Sequence, residues 1–201
     1  NTQTPHGSDH DNVRPTQVQL DSILKLNITP AIEADRFGHL VIQDTDGRMK
    51  PINTYASELL RKLSKKDSYK SFDANQVFLS MQESPQLWYN VPLIYLKAKK
   101  ADTIRTLLGL NKTAKYAALV DFLDPNLDYK LGPYLENAYS AQVPTAIQKI
   151  FKETDQRVSL LFNTLEGSAL RLYPIPDDEN NTWVSSKGFR EGGYVLKDSL
   201  Y

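Results

Sequence analysis

The 201-residue chain contains no cysteine. That excludes disulfides, thiolate zinc sites, iron–sulfur ligation, thiol nucleophiles and covalent attachment of haem to this chain. It leaves the compartment open, since oxidising and reducing surroundings both tolerate a cysteine-free protein. An excess of charge of one sign is missing too. The 24 Lys and Arg are balanced by 24 Asp and Glu, and the basic residues are dispersed, which removes the electrostatic argument for a nucleic-acid partner. Long apolar runs are absent: the longest, Val91–Leu96, falls far short of the ~20 residues of a membrane-spanning helix. There is no P-loop, no G-x-G-x-x-G, and no G-x-S-x-G around Ser57 or Ser168. Kinase, dehydrogenase and hydrolase readings therefore lack their parts.

What is present reads as α+β, mostly helical, with a small antiparallel sheet whose hairpin lies near 39–52. Leu40 and Ile42 are expected on one strand face, with His39, Val41 and Gln43 on the other. Asp44-Thr45-Asp46-Gly47 carries Asp-Gly reversal chemistry, and Pro51 fits an edge or terminal strand position. Asn53 or Thr54 is placed to cap a helix that buries Leu59, Leu60 and Leu63. Further helices are predicted from Leu20 to Asn27, behind Asp73 to Gln82, at Ser84-Pro85 onward, from Asp102 to Leu108 before Gly109, and from Tyr134 to Ala141. The cleanest periodicity runs from Pro144 to Glu166, with Ile147, Ile150, Phe151, Val158, Leu161, Phe162 and Leu165 at helical spacing and Gly167 as the stop. Val91–Leu96 and Leu170–Ile175 read as strands. Ala117–Leu123 is open between strand and helix, and Gly188–Tyr201 shows no clear element. Residues 1–15 read as a flexible polar tail and 16–201 as a single soluble domain. The start at Asn1, without Met or an apolar targeting stretch, leads to the expectation of a piece excised from a larger membrane protein.

The stretch LVIQDTDGRMKPINTYASELLRKLSKKDSYKSFDANQVFLSM resembles the extracytoplasmic domain of the fused System II cytochrome c biogenesis proteins, the CcsB–CcsA or ResB–ResC type haem synthases. The resemblance continues more weakly through QLWYNVPLIYL at Gln86–Leu96 and YPIPDDENNTWVS at Tyr173–Ser185. It implies a place on the periplasmic face of the inner membrane, beside the parent's membrane segments, with apocytochrome c as partner and haem as the cofactor to be handled. The family's Trp-rich haem-presenting signature lies in its membrane portion and is absent here, where Trp88 and Trp183 stand far apart. The domain is accordingly read as an accessory without chemistry of its own, holding apocytochrome or haem for a parent of the haem lyase class. The alternative is a free-standing extracytoplasmic binding or scaffold module with no haem role.

Three residues are the candidate haem contacts. His39, if held on a strand, would present an imidazole from an ordered wall, and Arg48 and Lys50 on the partner strand would meet haem propionates. The plainer reading of His39 is a half-exposed histidine beside a loop. Met49 and Met81 read as core filler rather than axial thioethers. His6 and His10 sit in a tail that supplies no fixed metal geometry. Asp44 and Asp46 lack the later oxygen ligands of a calcium loop and are explained by turn chemistry. Among Trp88-Tyr89, Tyr95, Tyr134, Tyr139, Tyr173 and Trp183, one aromatic cluster at most is expected to form an interface.

Overall fold

Four short antiparallel hairpins are threaded among helices, and the capping signals in the sequence explain where most of those helices start. The structure is a computed structural model that describes residues 14–194; the tail and its His6 and His10 lie almost wholly outside that range. Helix α1 (Gln17–Asn27) begins behind Thr16, whose hydroxyl accepts from the Gln19 amide while the Gln19 side chain returns to the Thr16 N–H. Helix α2 (Ala31–Gly38) follows Pro30. Strands β1 (Val41–Gln43) and β2 (Met49–Pro51) form the expected hairpin, and α3 (Ile52–Ser64) leaves it directly. Strands β3 (Ser68–Tyr69) and β4 (Phe72–Asp73) make a tight reversal. Asp73 then caps α4 (Ala74–Glu83) with Gln76 as its reciprocal partner.

Pro85 opens the single turn of α5 (Pro85–Trp88). Strand β5 (Ile94–Tyr95) pairs across a long separation with β6 (Tyr116–Ala117), and α6 (Asp102–Leu107) fills the interval. A 3-10 turn at Leu119–Phe122 leads to α7 (Gly132–Ser140) and to the long α8 (Ala146–Leu165), capped by Thr145 and Gln148. Strands β7 (Arg171–Pro174) and β8 (Trp183–Ser185) and α9 (Ser186–Glu191) complete the described chain. Among the described residues this makes nine α-helices and four two-stranded sheets. None of these helices is long and apolar enough to cross a membrane.

One cluster of buried apolar side chains joins α1, α3, α4, α8 and the hairpin, with Leu24, Ile42, Leu60, Phe78, Trp88, Phe122 and Leu161 at its centre. Trp88 is fully buried, and its indole N–H donates to Ser80 Oγ at 3.0 Å, so the largest core side chain leaves no orphaned donor. Among the described residues Arg105 is the one buried Lys or Arg. It donates to the carbonyls of Ala114 at 2.7 Å and Leu96 at 2.9 Å and pairs with Asp102 at 3.0 Å, which ties α6 to the ends of β5 and β6.

The helical reading is borne out, and several details are corrected. Helix α2 runs to Gly38, so His39 is its C-cap rather than a strand residue. The alternation across β1 is also overturned. Leu40 is 48% exposed, whereas Ile42 and its neighbour Gln43 are both buried. The cause is long-range: the β7–β8 hairpin covers the second face of β1. The Trp183 N–H donates to Gln43 Oε1 at 2.7 Å, and Gln43 Nε2 donates to the Asn181 carbonyl at 3.0 Å. Met49 lies 49% exposed rather than in the core, while Met81 is fully buried as expected. Pro51, not Asn53 or Thr54, occupies the cap position of α3. Ala117–Leu123 resolves into the end of β6 followed by a 3-10 turn, and α9 forms where no element was legible.

Candidate functional site

The hairpin turn is built by Asp44. Its Oδ1 accepts the backbone N–H groups of Asp46 and Arg48, each at 2.9 Å, while Gly47 adopts φ +80°, the left-handed conformation the reversal needs. Lys50, directly opposite Ile42, reaches back to Asp44 Oδ2 at 3.2 Å and forward to Glu58 Oε2 on α3 at 2.8 Å. The Arg48 N–H, followed by the Lys50 ammonium, holds the Asp44 carboxyl below its usual range. Lys50 does the same to Glu58, and Glu58 before Asp44 raises Lys50 in turn. The cavity at this triad is about 90 Å³, well under the roughly 300 Å³ at which small-molecule pockets usually begin.

The three predicted haem contacts are therefore not assembled into one site by hydrogen bonds or ion pairs among the described residues. Arg48 is exposed, and Lys50 already serves two carboxylates. The His39 ring is largely exposed and turns toward its own helix, with Nδ1 at 2.8 Å from the Asp35 carbonyl. A carbonyl can only accept, so Nδ1 is the donor of this contact, and in the neutral ring that leaves the lone pair on Nε2. Such a backbone contact is of the kind that orients metal-bound histidines. It lies on a helix end rather than in a pocket.

A second feature assembles from distant parts of the chain. The Leu119–Phe122 turn is pinned to α5 by the Val120 N–H donating to the Tyr89 carbonyl at 3.1 Å. The chain then doubles back. Asp124 Oδ1 accepts from the Asn126 and Asp128 amides at 2.8 Å each, and Leu123 bridges to Tyr129. Opposite runs α8. Between them lies an apolar groove of about 290 Å³, lined by Tyr89, Leu119, Phe122, Leu123, Tyr129, Val158, Ser159 and Phe162. Phe122, Leu119 and Val158 form a buried floor, and Phe162 stands 46% exposed at the edge.

Carboxylates fix the hydroxyl ends of its tyrosines. Tyr89 donates to Glu166 Oε1 at 2.8 Å, and Tyr129 donates to Asp155 Oδ1 at 3.0 Å. The other oxygen of Asp155 accepts from Tyr139 on α7 at 2.8 Å. Desolvation, reinforced by Glu166, pushes Tyr89 up to about 12. Burial and Asp155 push Tyr139 up to about 12, and the more deeply set Tyr129 shifts strongly upward for the same reasons. No reading of the sequence located this groove. The available signal was Phe162, an apolar residue on the α8 stripe that the core does not cover.

Fold and site together define a helical α+β domain with an open aromatic groove and a closed charged hairpin. Among the described residues no three His, Asp or Glu gather to hold a metal ion. No family model matches the chain. Over 154 residues it is 35% identical to part of Protein NrfI of Wolinella succinogenes. That match takes in 75% of this chain and 16% of NrfI, so the chain spans about a sixth of that relative's length.

Proposed function

We propose that the chain is an accessory extracytoplasmic domain of a cytochrome c maturation complex, holding apocytochrome c or haem beside the membrane segments that perform attachment. The carrying observation is the 35% identity to a portion of NrfI over three quarters of the chain. It falls beside the resemblance of Leu40–Met81 to the System II haem synthases, and both likenesses support the same process, cytochrome c biogenesis. In the hairpin, Lys50 already engages both Asp44 and Glu58. Two candidate surfaces for a partner are the His39 Nε2 and the Tyr89–Phe162 groove.

The test is a titration of hemin into the purified chain, followed at the Soret band, with His39→Ala in parallel and a CxxCH peptide as the second ligand. Saturable binding near one equivalent that weakens in the variant assigns haem handling to His39. Peptide binding without hemin binding assigns apocytochrome holding. If neither ligand binds, the maturation reading fails and a scaffold module with no haem role takes its place.

A further inference from the structure

The groove is apolar inside and acidic at its edges. Of the carboxylates that meet its tyrosines, Asp155 lies on α8 one turn before the lining residue Ser159, and Glu166, the C-cap of α8, lies one turn after the lining residue Phe162. Asp124 and Asp128 flank the facing loop on either side of Leu127, which is 76% exposed. Two cations of the neighbouring elements are engaged elsewhere: Arg14 pairs with the Asp121 carboxylate and Lys130 donates to the Asp121 carbonyl. Lys152 lies 5.0 Å over the ring of Tyr139, on the Asp155 side of the edge. The hydroxyls leave the carboxylates with further lone pairs to offer, and the tyrosine faces accept cations.

We propose that this groove docks a peptide segment of another protein in which an apolar or aromatic side chain is flanked by Lys or Arg. The anchor enters between Phe122, Val158 and Phe162, excluding water from the floor, and the flanking cations meet Asp155 and Glu166 at the two ends of the α8 edge. Apolar burial supplies affinity, and the acidic edge selects the sign of the partner. The inference goes beyond the maturation role and does not depend on it.

The experiment is fluorescence anisotropy of a labelled Lys-Lys-Leu-Phe-Leu-Lys-Lys peptide with the full chain, against Glu-Glu-Leu-Phe-Leu-Glu-Glu and Lys-Lys-Ser-Ser-Ser-Lys-Lys. Saturable binding of the first alone is expected, weakening with added salt. Phe162→Glu should abolish it. Ser159→Arg, an exposed position that leaves the core untouched, should abolish it as well and covers the case in which the first variant misfolds. Glu166→Gln and Asp155→Asn should each weaken binding about fivefold, the scale of one exposed charge contact. Equal binding of the Lys- and Glu-flanked peptides, no saturation by the first, or indifference to Ser159→Arg would overturn the proposal. So would concentration-dependent dimer formation by the chain alone that is lost in Ser159→Arg, because the occupant would then be a second copy.

Discussion

The hairpin at 41–51 is built on carboxylates and the groove between Tyr89 and Phe162 is bordered by them, yet the two do opposite things with them. In the hairpin, Asp44 and Glu58 share one cation, Lys50, and the turn amides complete Asp44. The charges are satisfied within a short stretch of chain, and little space is left. In the groove, Asp155 and Glu166 receive neutral hydroxyls. Their charge is oriented but not cancelled, and it borders an apolar opening of about 290 Å³. Carboxylates held by a shared cation and turn amides make a frame, whereas carboxylates that meet only neutral hydroxyls beside apolar surface make a place to bind.

The comparison breaks most visibly in the core beneath each region. Phe122→Ala, which removes the fully buried floor of the groove, should destabilise the chain by about 3–5 kcal/mol in urea unfolding. The half-exposed Phe162→Ala should cost less than about 1 kcal/mol, because that ring is not held by the core. Equal losses would mean that the groove is ordinary core surface. In the hairpin, Asp44→Ala deletes the acceptor for two turn amides and leaves Lys50 with Glu58 alone; a loss of about 1–3 kcal/mol is expected. Gln43→Ala should cost about 1–2 kcal/mol. It should also speed hydrogen exchange at the Trp183 amide, since that amide loses its acceptor.

The pH responses separate the two regions at opposite ends of the scale. Asp44 and Glu58 have lowered values. Their stabilisation is complete above the ordinary carboxylate range of about 4 and is lost as pH falls through those lowered values. Asp44→Asn should flatten that acid limb. Tyr89 and Tyr139 have raised values, so their contribution is complete below about 10 and disappears as pH rises toward 12. Lys50, also raised, adds to the alkaline loss, and burial raises Tyr55 and Tyr69 outside the groove as well, so tyrosinate absorbance isolates the groove only when read against its carboxylate variants. Glu166→Gln and Asp155→Asn should bring the late-titrating tyrosines back toward 10. An unchanged late titration in both variants would break the assignment.

The two regions also differ in how far they could be read from sequence. The hairpin, its Asp-Gly turn and the Asp73 cap depend on neighbours within a few residues, and each was legible. One failure there has a long-range cause. Gln43 is buried by Asn181 and Trp183, residues roughly two thirds of the chain away, and no periodicity in β1 records that cover. His39 was misplaced because the helix beginning after Pro30 runs to Gly38 and displaces the strand start. The groove draws its lining from α5, the Leu119–Tyr129 loop and α8, so no local pattern describes it. Phe162 counted toward a helical stripe whose inner part is core and whose edge is open. Tyr89 and Tyr139 were among the aromatics considered for an interface, but Asp155, the group that joins Tyr129 to Tyr139, carried no sequence signal.

The most direct measurement is a residue-resolved amide NMR titration of the chain with an apocytochrome peptide carrying CxxCH and flanking lysines. The account predicts perturbations clustered at Tyr89, Phe122, Ser159 and Phe162, with Asp44 to Lys50 unmoved. Perturbations concentrated in the hairpin, with the groove silent, would contradict it and return recognition to the segment where the sequence first placed it.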